Sequence, residues 1–314
     1  MKSSNSQFSI SNSKLKRVVV FGGSGFLGSY VADELTSRGY SVVIADRSPS
    51  KYKKDSQEFE KVDILDLDRV KEIVEGANYV YNFVAVANLD DAIHNPIDTI
   101  NINVMGNLNV LEACRVHGVE RFIYASSAYA LSSEGSFYGI SKQNSEKLTE
   151  EYSKRYGLKY TVIRYGSLYG ERASHNNYIY NLLKTALKSN ELTYKGDGED
   201  LREYIHARDA GKLSVDILED REYENSHIIL TGIEKLKRKD LLIMINEILG
   251  NRLEIKNIQE DFFGHYKITP YSYQYPTPAK KLVANPYIDL GQGLLESIQV
   301  INEELREERE NERY

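Results

Sequence analysis

The chain has 314 residues, of which 41% are hydrophobic and 27% charged, with a net charge of -6 and a pI near 5.7. This is a globular composition, not a disordered one, and no apolar run approaches the roughly 20 residues that cross a bilayer, so neither a disordered chain nor a membrane span is expected. The acidic balance argues against nucleic acid as a partner, because phosphate-backbone binding needs a basic surface.

Residues 1–13, "MKSSNSQFSISNS", are polar and serine-rich and are expected as a mobile tail without a secretory apolar segment. With Cys114 as the only cysteine, no internal disulfide is available, and a reducing cytoplasm is the expected location. From Arg17 onward, short apolar runs alternate with segments of helical period, the pattern of βαβ units around a parallel sheet. Strands are expected at 17–22, Ser41–Asp46, 59–64, Tyr79–Ala85, Arg121–Ser126 and Lys159–Tyr165, and helices at Phe26–Arg38, Asp66–Glu75, Pro96–His117 and Tyr138–Tyr156. Pro96 stands just inside its helix, where a missing N–H costs nothing. The expected fold is α/β: a doubly wound parallel sheet over 14–170 with returns at about 204–233. A smaller, interleaved C-terminal substrate-binding subdomain takes 171–203 and 234–293. Residues 294–314 read as a charged terminal helix, solvated and fraying at its end. No metal site is expected.

"FGGSGFLGSY" follows the first strand and opens the first helix, with Gly22, Gly25 and Gly28 evenly spaced and Asp46 closing the next strand. Gly22 permits the tight turn, Gly25 lets the backbone approach a pyrophosphate, and Gly28 lets helix and strand pack closely. Ser24, Phe26 and Leu27 complete this Rossmann-type cradle, where the free N–H groups of a helix N-terminus face the phosphates. Asp46 favours NAD, since a carboxylate accepts from a ribose hydroxyl and repels a 2′-phosphate. Arg47, beside it, is placed with the cofactor, and Arg47, Lys51, Lys53 and Lys54 leave NADP open.

The glycine spacing, Asp46, "VDILD", "NINVMGNLNVLEACRVHGVERFIYASS", "YGISK" and "GDGEDLREYIHARDAG" together resemble the extended short-chain dehydrogenase/reductase family, in its nucleotide-sugar epimerase/dehydratase branch. The resemblance runs from about Arg17 to Gly211. It implies that Asp63 and Ile64 contact adenine, that Phe83, Val84 and Ala85 line the cofactor strand, and that Asn103 faces the cofactor from its helix. It further implies Ser127, with Ser126 as the neighbouring alternative, Tyr138 and Lys142 as the catalytic set, the last two also holding the cofactor. Substrate contacts are implied for Ser126, Ser127, Ser167 and Arg202, the last in a loop with Gly196 and Gly198. A homodimer joined by the two long helices, 96–117 and 138–156, is also implied.

The chemistry accounts for these residue types. Oxidising a sugar hydroxyl removes its proton while the carbon gives up a hydride, so a base must be present. Bringing tyrosine from pKa about 10 to half ionisation at pH 7 takes about 4 kcal/mol. Helix positions four apart share a face, so the Lys142 ammonium stands beside Tyr138 and favours its phenolate. Dehydratases of the branch place Asp-Glu after the catalytic hydroxyl, whereas Ala128 and Tyr129 stand here, and Cys114 and the lone His175 form no pair for epimerisation beside a ketone. The set that remains suits epimerisation at C4 through a transient 4-keto sugar. Another dehydrogenase, reductase, dehydratase or decarboxylase of the family, and a non-catalytic NAD(P)-binding sensor or scaffold, stay open on the residues alone.

Overall fold

A computed structural model describes residues 15–233, 235–258, 265–270 and 279–311, so the expected tail at 1–13 lies outside the described residues. In the first half, runs rich in Val, Ile and aromatic residues form β1 (Arg17–Phe21), β2 (Ser41–Asp46), β3 (Glu58–Lys61), β4 (Tyr79–Asn82), β5 (Arg121–Ser127) and β6 (Tyr160–Tyr165). Between them lie α1 (Phe26–Ser37), α2 (Leu67–Val74), α3 (Leu89–His94), α4 (Pro96–Ile100), α5 (Gly106–Val116) and α6 (Ser136–Tyr156). The second half supplies β7 (Ser167–Tyr169), α7 (Tyr178–Ser189), β8 (Glu191–Lys195), β9 (Leu201–His206), α8 (Ala207–Glu219) and β10 (Ser226–Leu230). It closes with β11 (Lys235–Lys237), α9 (Arg238–Ile248), β12 (Glu254–Ile258), β13 (Lys280–Leu282) and α10 (Leu290–Asn311).

Eight strands pair in the order β13-β10-β6-β5-β4-β1-β2-β3, all parallel. A parallel sheet must be covered on both faces. Leu27, Val31 and Leu35 of α1 and Ala210, Val215 and Leu218 of α8 bury one face. Val70 and Ile73 of α2 and Val110, Leu111 and Cys114 of α5 bury the other. The chain reverses its direction of winding between β1 and β4, which opens a crevice at the C-terminal ends of these strands.

Several boundaries differ from expectation. The strand expected through Ile64 stops at Lys61, and the one expected through Ala85 stops at Asn82, because the following residues leave the sheet to line that crevice. The helix expected over Pro96–His117 is α4, a π-turn at Asn101–Met105, and α5. A π-turn shifts the helix by one extra residue. Here it presents the buried Asn103, whose backbone carbonyl accepts from Ser145 Oγ at 2.8 Å.

The smaller subdomain contains the sheet β11-β9-β7, the pair β12-β8, and helices α7 and α9. The expected division changes in several parts: β7 and the end of β9, expected with the NAD-binding portion, pair outside the main sheet. Residues Lys280–Leu282, assigned to the subdomain, return to the main sheet beside β10. The terminal helix begins at Leu290 and is not simply solvated: Leu294, Ile298, Ile301 and Leu305 form one apolar stripe packed on α7 and α9. Charges at the other positions obscure that stripe in the sequence. Leu294→Ala is therefore expected to cost about 2–5 kcal/mol in chemical denaturation, whereas a fraying, solvated helix would lose less than about 0.5 kcal/mol.

Candidate active site and cofactor cleft

β1 ends at the glycine turn, and the lack of side chains there is enforced sterically. Gly22 has φ +74°, and a Cβ on it would lie 2.9 Å from the Val84 nitrogen. A Cβ on Gly28 would lie 2.2 Å from the Gly22 oxygen. Gly25 stands at the start of α1 with no side-chain cap, so the first N–H groups of that helix are left for an anion. The buried Ser24 hydroxyl has no protein partner, while Asp46 accepts from the N–H groups of Ser24 at 3.1 Å and Arg47 at 2.7 Å. Along one cleft of about 250 Å³ the fold collects Gly22, Gly25, Asp46, Arg47, Asp63, Ile64, Phe83, Val84 and Ala85. The orphaned Ser24 hydroxyl and the free helix N–H groups as donors, with the Asp46 carboxylate as acceptor, fit a dinucleotide.

The side chains of three other residues expected at the cofactor do not line this cleft, although the N–H groups of Phe26 and Leu27 belong to the open first turn of α1. Leu27 turns its side chain into the core, and the Phe26 ring lies 6.3 Å from that of Tyr30, edge to face. Asn103 spends its amide inside the protein: it accepts from Val86 N–H at 2.7 Å and donates to Val86 O at 3.1 Å and Ser141 Oγ at 2.9 Å. It thus pins the Val86 loop that borders the cleft and does not itself line it.

At the end of β5, neighbouring residues point to opposite faces, and this separates the two candidate serines. Ser126 Oγ donates to Glu146 Oε1 at 2.5 Å, and Glu146 also grips Arg164 at 2.9 and 2.7 Å. The Ser126 hydroxyl proton is thereby committed to Glu146. Ser127 faces the start of α6 instead, and burial pushes Tyr138 up to about 12 while a hydrogen bond with Ser127 pulls it back down. Lys142, only 2% exposed, donates to Ala125 O at 2.7 Å. Its ammonium lies 5.7 Å from the centre of the Tyr138 ring. Burial draws Lys142 down to about 7, against the opposing charge of Glu146.

Beside this set a second cleft, of about 370 Å³, is lined by Ser167 of β7 and Arg202 of β9. Arg202 lies 4.1 Å over the Tyr266 ring and 3.6 Å from Asp200. Asp200 is held in turn by Arg238 at 2.5 and 3.1 Å. Gly196 and Gly198 shape the turn before β9 through positive φ and are absent from this lining. His175 is exposed. Sequence reasoning missed Tyr129, Glu146, Arg164, Asp200, Arg238 and His265. Glu146, one helical turn beyond Lys142, carried a readable spacing signal, whereas His265 carried none.

Glu171, His206 and Glu296 bring one ligand atom each within 4.8 Å of one another. The chemistry does not suit a metal. His206 Nδ1 accepts from the Arg208 N–H at 3.1 Å as the cap of α8, so Nε2 carries the proton and meets Glu171 at 3.3 Å.

A lysine held near pKa 7 when folded and about 10.4 when unfolded destabilises the fold fully below pH 7, and the destabilisation fades as pH rises toward 10. In the protein without cofactor, Lys142→Met should remove a stability gain of up to about 1.4 kcal/mol per pH unit across that window. Equal slopes for the two proteins in urea denaturation at several pH values would contradict this.

The model of the NAD dependent epimerase/dehydratase family matches residues 18–232. A putative UDP-glucose 4-epimerase of Methanocaldococcus jannaschii is 27% identical over 298 residues, covering 88% of this chain and 95% of that protein. Among solved structures, the UDP-glucose 4-epimerase of Thermotoga maritima with UDP-glucose superposes with a TM-score of 0.80 at 23% identity, covering 92% of this chain and 99% of that one. The UDP-glucuronic acid 4-epimerase of Bacillus cereus with UDP-glucuronic acid and NAD also reaches 0.80, at 22% identity, covering 91% and 99%. With the family match spanning most of the sheet and the whole lining of the cofactor cleft, the chain belongs to the NAD dependent epimerase/dehydratase family.

Proposed function

We propose that this protein is an NAD-dependent nucleotide-sugar epimerase that acts at C4, with a UDP-sugar as the substrate class, in keeping with the names of its relatives. The observation that carries the reading is the set Ser127, Tyr138 and Lys142 at the strand end, next to Ala128 and Tyr129 where an eliminating acid would have to stand. NAD, when bound, supplies an acceptor that takes a hydride from the sugar carbon and gives it back. Gly22, Gly25, the Ser24 hydroxyl and Asp46 would hold it.

Ser127 orients the reacting hydroxyl, and Tyr138 takes its proton. In the protein alone Tyr138 is held protonated by burial. The positive charge of Lys142, and that of an oxidised nicotinamide, lower the energy of the phenolate. Once the 4-keto sugar has turned its other face, Tyr138 returns the proton to the oxygen. The carbon gives up and regains a hydride and never a proton, so no second base is needed beside Tyr138. Arg202, with Ser167, would meet the diphosphate.

A homodimer is part of the reading. Ile97, 74% exposed, and Ile93, Met105, Phe137 and Ile140 leave apolar side chains uncovered on α3 to α6. A cytoplasmic location is supported by the single, buried Cys114, and no helix among the described residues is long and apolar enough to cross a membrane.

Tyr138→Phe should keep NAD bound and lower turnover by about 100-fold or more; near-normal rates would refute the assignment. In deuterated solvent, NMR of the products from UDP-sugars should show inversion at C4 with no deuterium on carbon, and incorporation of the label would point to another reaction. Light scattering at micromolar concentration should give a dimer, and Ile97→Lys should shift it to monomer.

A further inference from the structure

Resting on the nucleotide-sugar reading, we infer that Tyr129 and His265 form an uncharged, hydrogen-bonded wall that selects a sugar bearing hydroxyls on that side and turns away one bearing a carboxylate. Tyr129 lies two residues beyond Ser127, in the tight turn Ala128–Leu131. Its ring meets Tyr138 edge-on at 6.2 Å, so a sugar placed for reaction at Tyr138 adjoins it. The Tyr129 hydroxyl lies 2.8 Å from His265 Nδ1, and its ring is tilted against Tyr266 at 4.7 Å. His265 comes from the segment 265–270, far along the chain, and both members of the pair line the 370 Å³ cleft. In one imidazole tautomer the phenol donates to His265 and offers a lone pair to the sugar. In the other it accepts and offers its own proton. Either arrangement suits a hydroxyl.

The charges around the pair make the same distinction. The lining of the cleft contains two guanidinium groups, Arg202 and Arg238, and two carboxylates, Asp90 and Asp200, with Asp200 tied to both arginines. A diphosphate therefore uses the positive charge available, and a third anion on the sugar would meet a phenol and an imidazole in place of a cation. Burial and the two arginines hold His265 down to about 4, and burial holds the Tyr129 proton on, so neither is charged near neutrality. An anion brought into such a site without a partner loses hydration that nothing replaces.

The test uses the full chain loaded with NAD and reads binding calorimetrically, so that it does not depend on turnover. UDP, UDP-glucose and UDP-glucuronate are the probes. UDP-glucose should bind at least about tenfold more tightly than UDP-glucuronate. Tyr129→Phe should weaken UDP-glucose by about three- to tenfold while leaving UDP unchanged, and His265→Lys should move the preference toward UDP-glucuronate by about tenfold. Should His265→Lys fail to fold, the wild-type ratio and Tyr129→Phe decide. Equal or tighter binding of UDP-glucuronate by the wild type, or the same UDP-glucose affinity in Tyr129→Phe, overturns the inference and leaves the nucleotide-sugar reading standing. Failure of UDP and both sugars to bind removes that reading and the inference with it.

Discussion

The hydrogen bond from Lys142 to the carbonyl of Ala125 ties α6 to the end of β5, and the placing of Ser127, Tyr138 and Lys142 relative to one another depends on that docking. Ala125 precedes the two serines on the strand. Tyr138 lies one helical turn before Lys142 and Glu146 one turn after it. Because strand residues alternate in direction, the same docking turns Ser127 toward Tyr138 and Ser126 toward Glu146. A slip of one residue would turn each side chain at this strand end to the opposite face and part Ser127 from Tyr138. Arg164, gripping Glu146 from the neighbouring β6, makes such a slip costly, since it would strand a buried charge.

The clefts follow from the order of the strands. Parallel strands place their C-terminal ends along one edge, and the reversal between β1 and β4 opens the dinucleotide cleft there. The neighbouring β5 ends at the same edge with Ser127, so hydride chemistry and cofactor cleft adjoin without any long-range adjustment. The Asn103 amide, projected by the π-turn, ties down the Val86 loop at the border of the cleft by bonding both its N–H and its carbonyl. On the other side, the smaller subdomain brings Arg202, Arg238 and His265 to within reach of the turn after β5.

Much of this was legible in the sequence because the signals are local. Buried parallel strands show as unbroken apolar runs, and the glycine turn declares itself because a side chain at Gly22 or Gly28 would strike backbone. The Tyr138–Lys142 spacing is a statement about a single helix. What misled was also local. Charges masked the stripe from Leu294 to Leu305, and a continuous helical period concealed the π-turn at Asn101–Met105, where the Asn103 carbonyl accepts from a hydroxyl on a different helix.

By itself the sequence determined the class of fold, the nature of the cofactor cradle and the placing of Tyr138 and Lys142 on one helix face, since each depends on residues close together along the chain. Only the tertiary structure decided which serine adjoins Tyr138, what Asn103 binds, and which residues line the second cleft. Ser126 is set apart from Ser127 by Glu146 and Arg164, and Tyr129 acquires its partner from His265. These pairings join distant segments through geometry, and hydrophobic pattern and spacing carry no record of which distant side chain will arrive at a given hydroxyl.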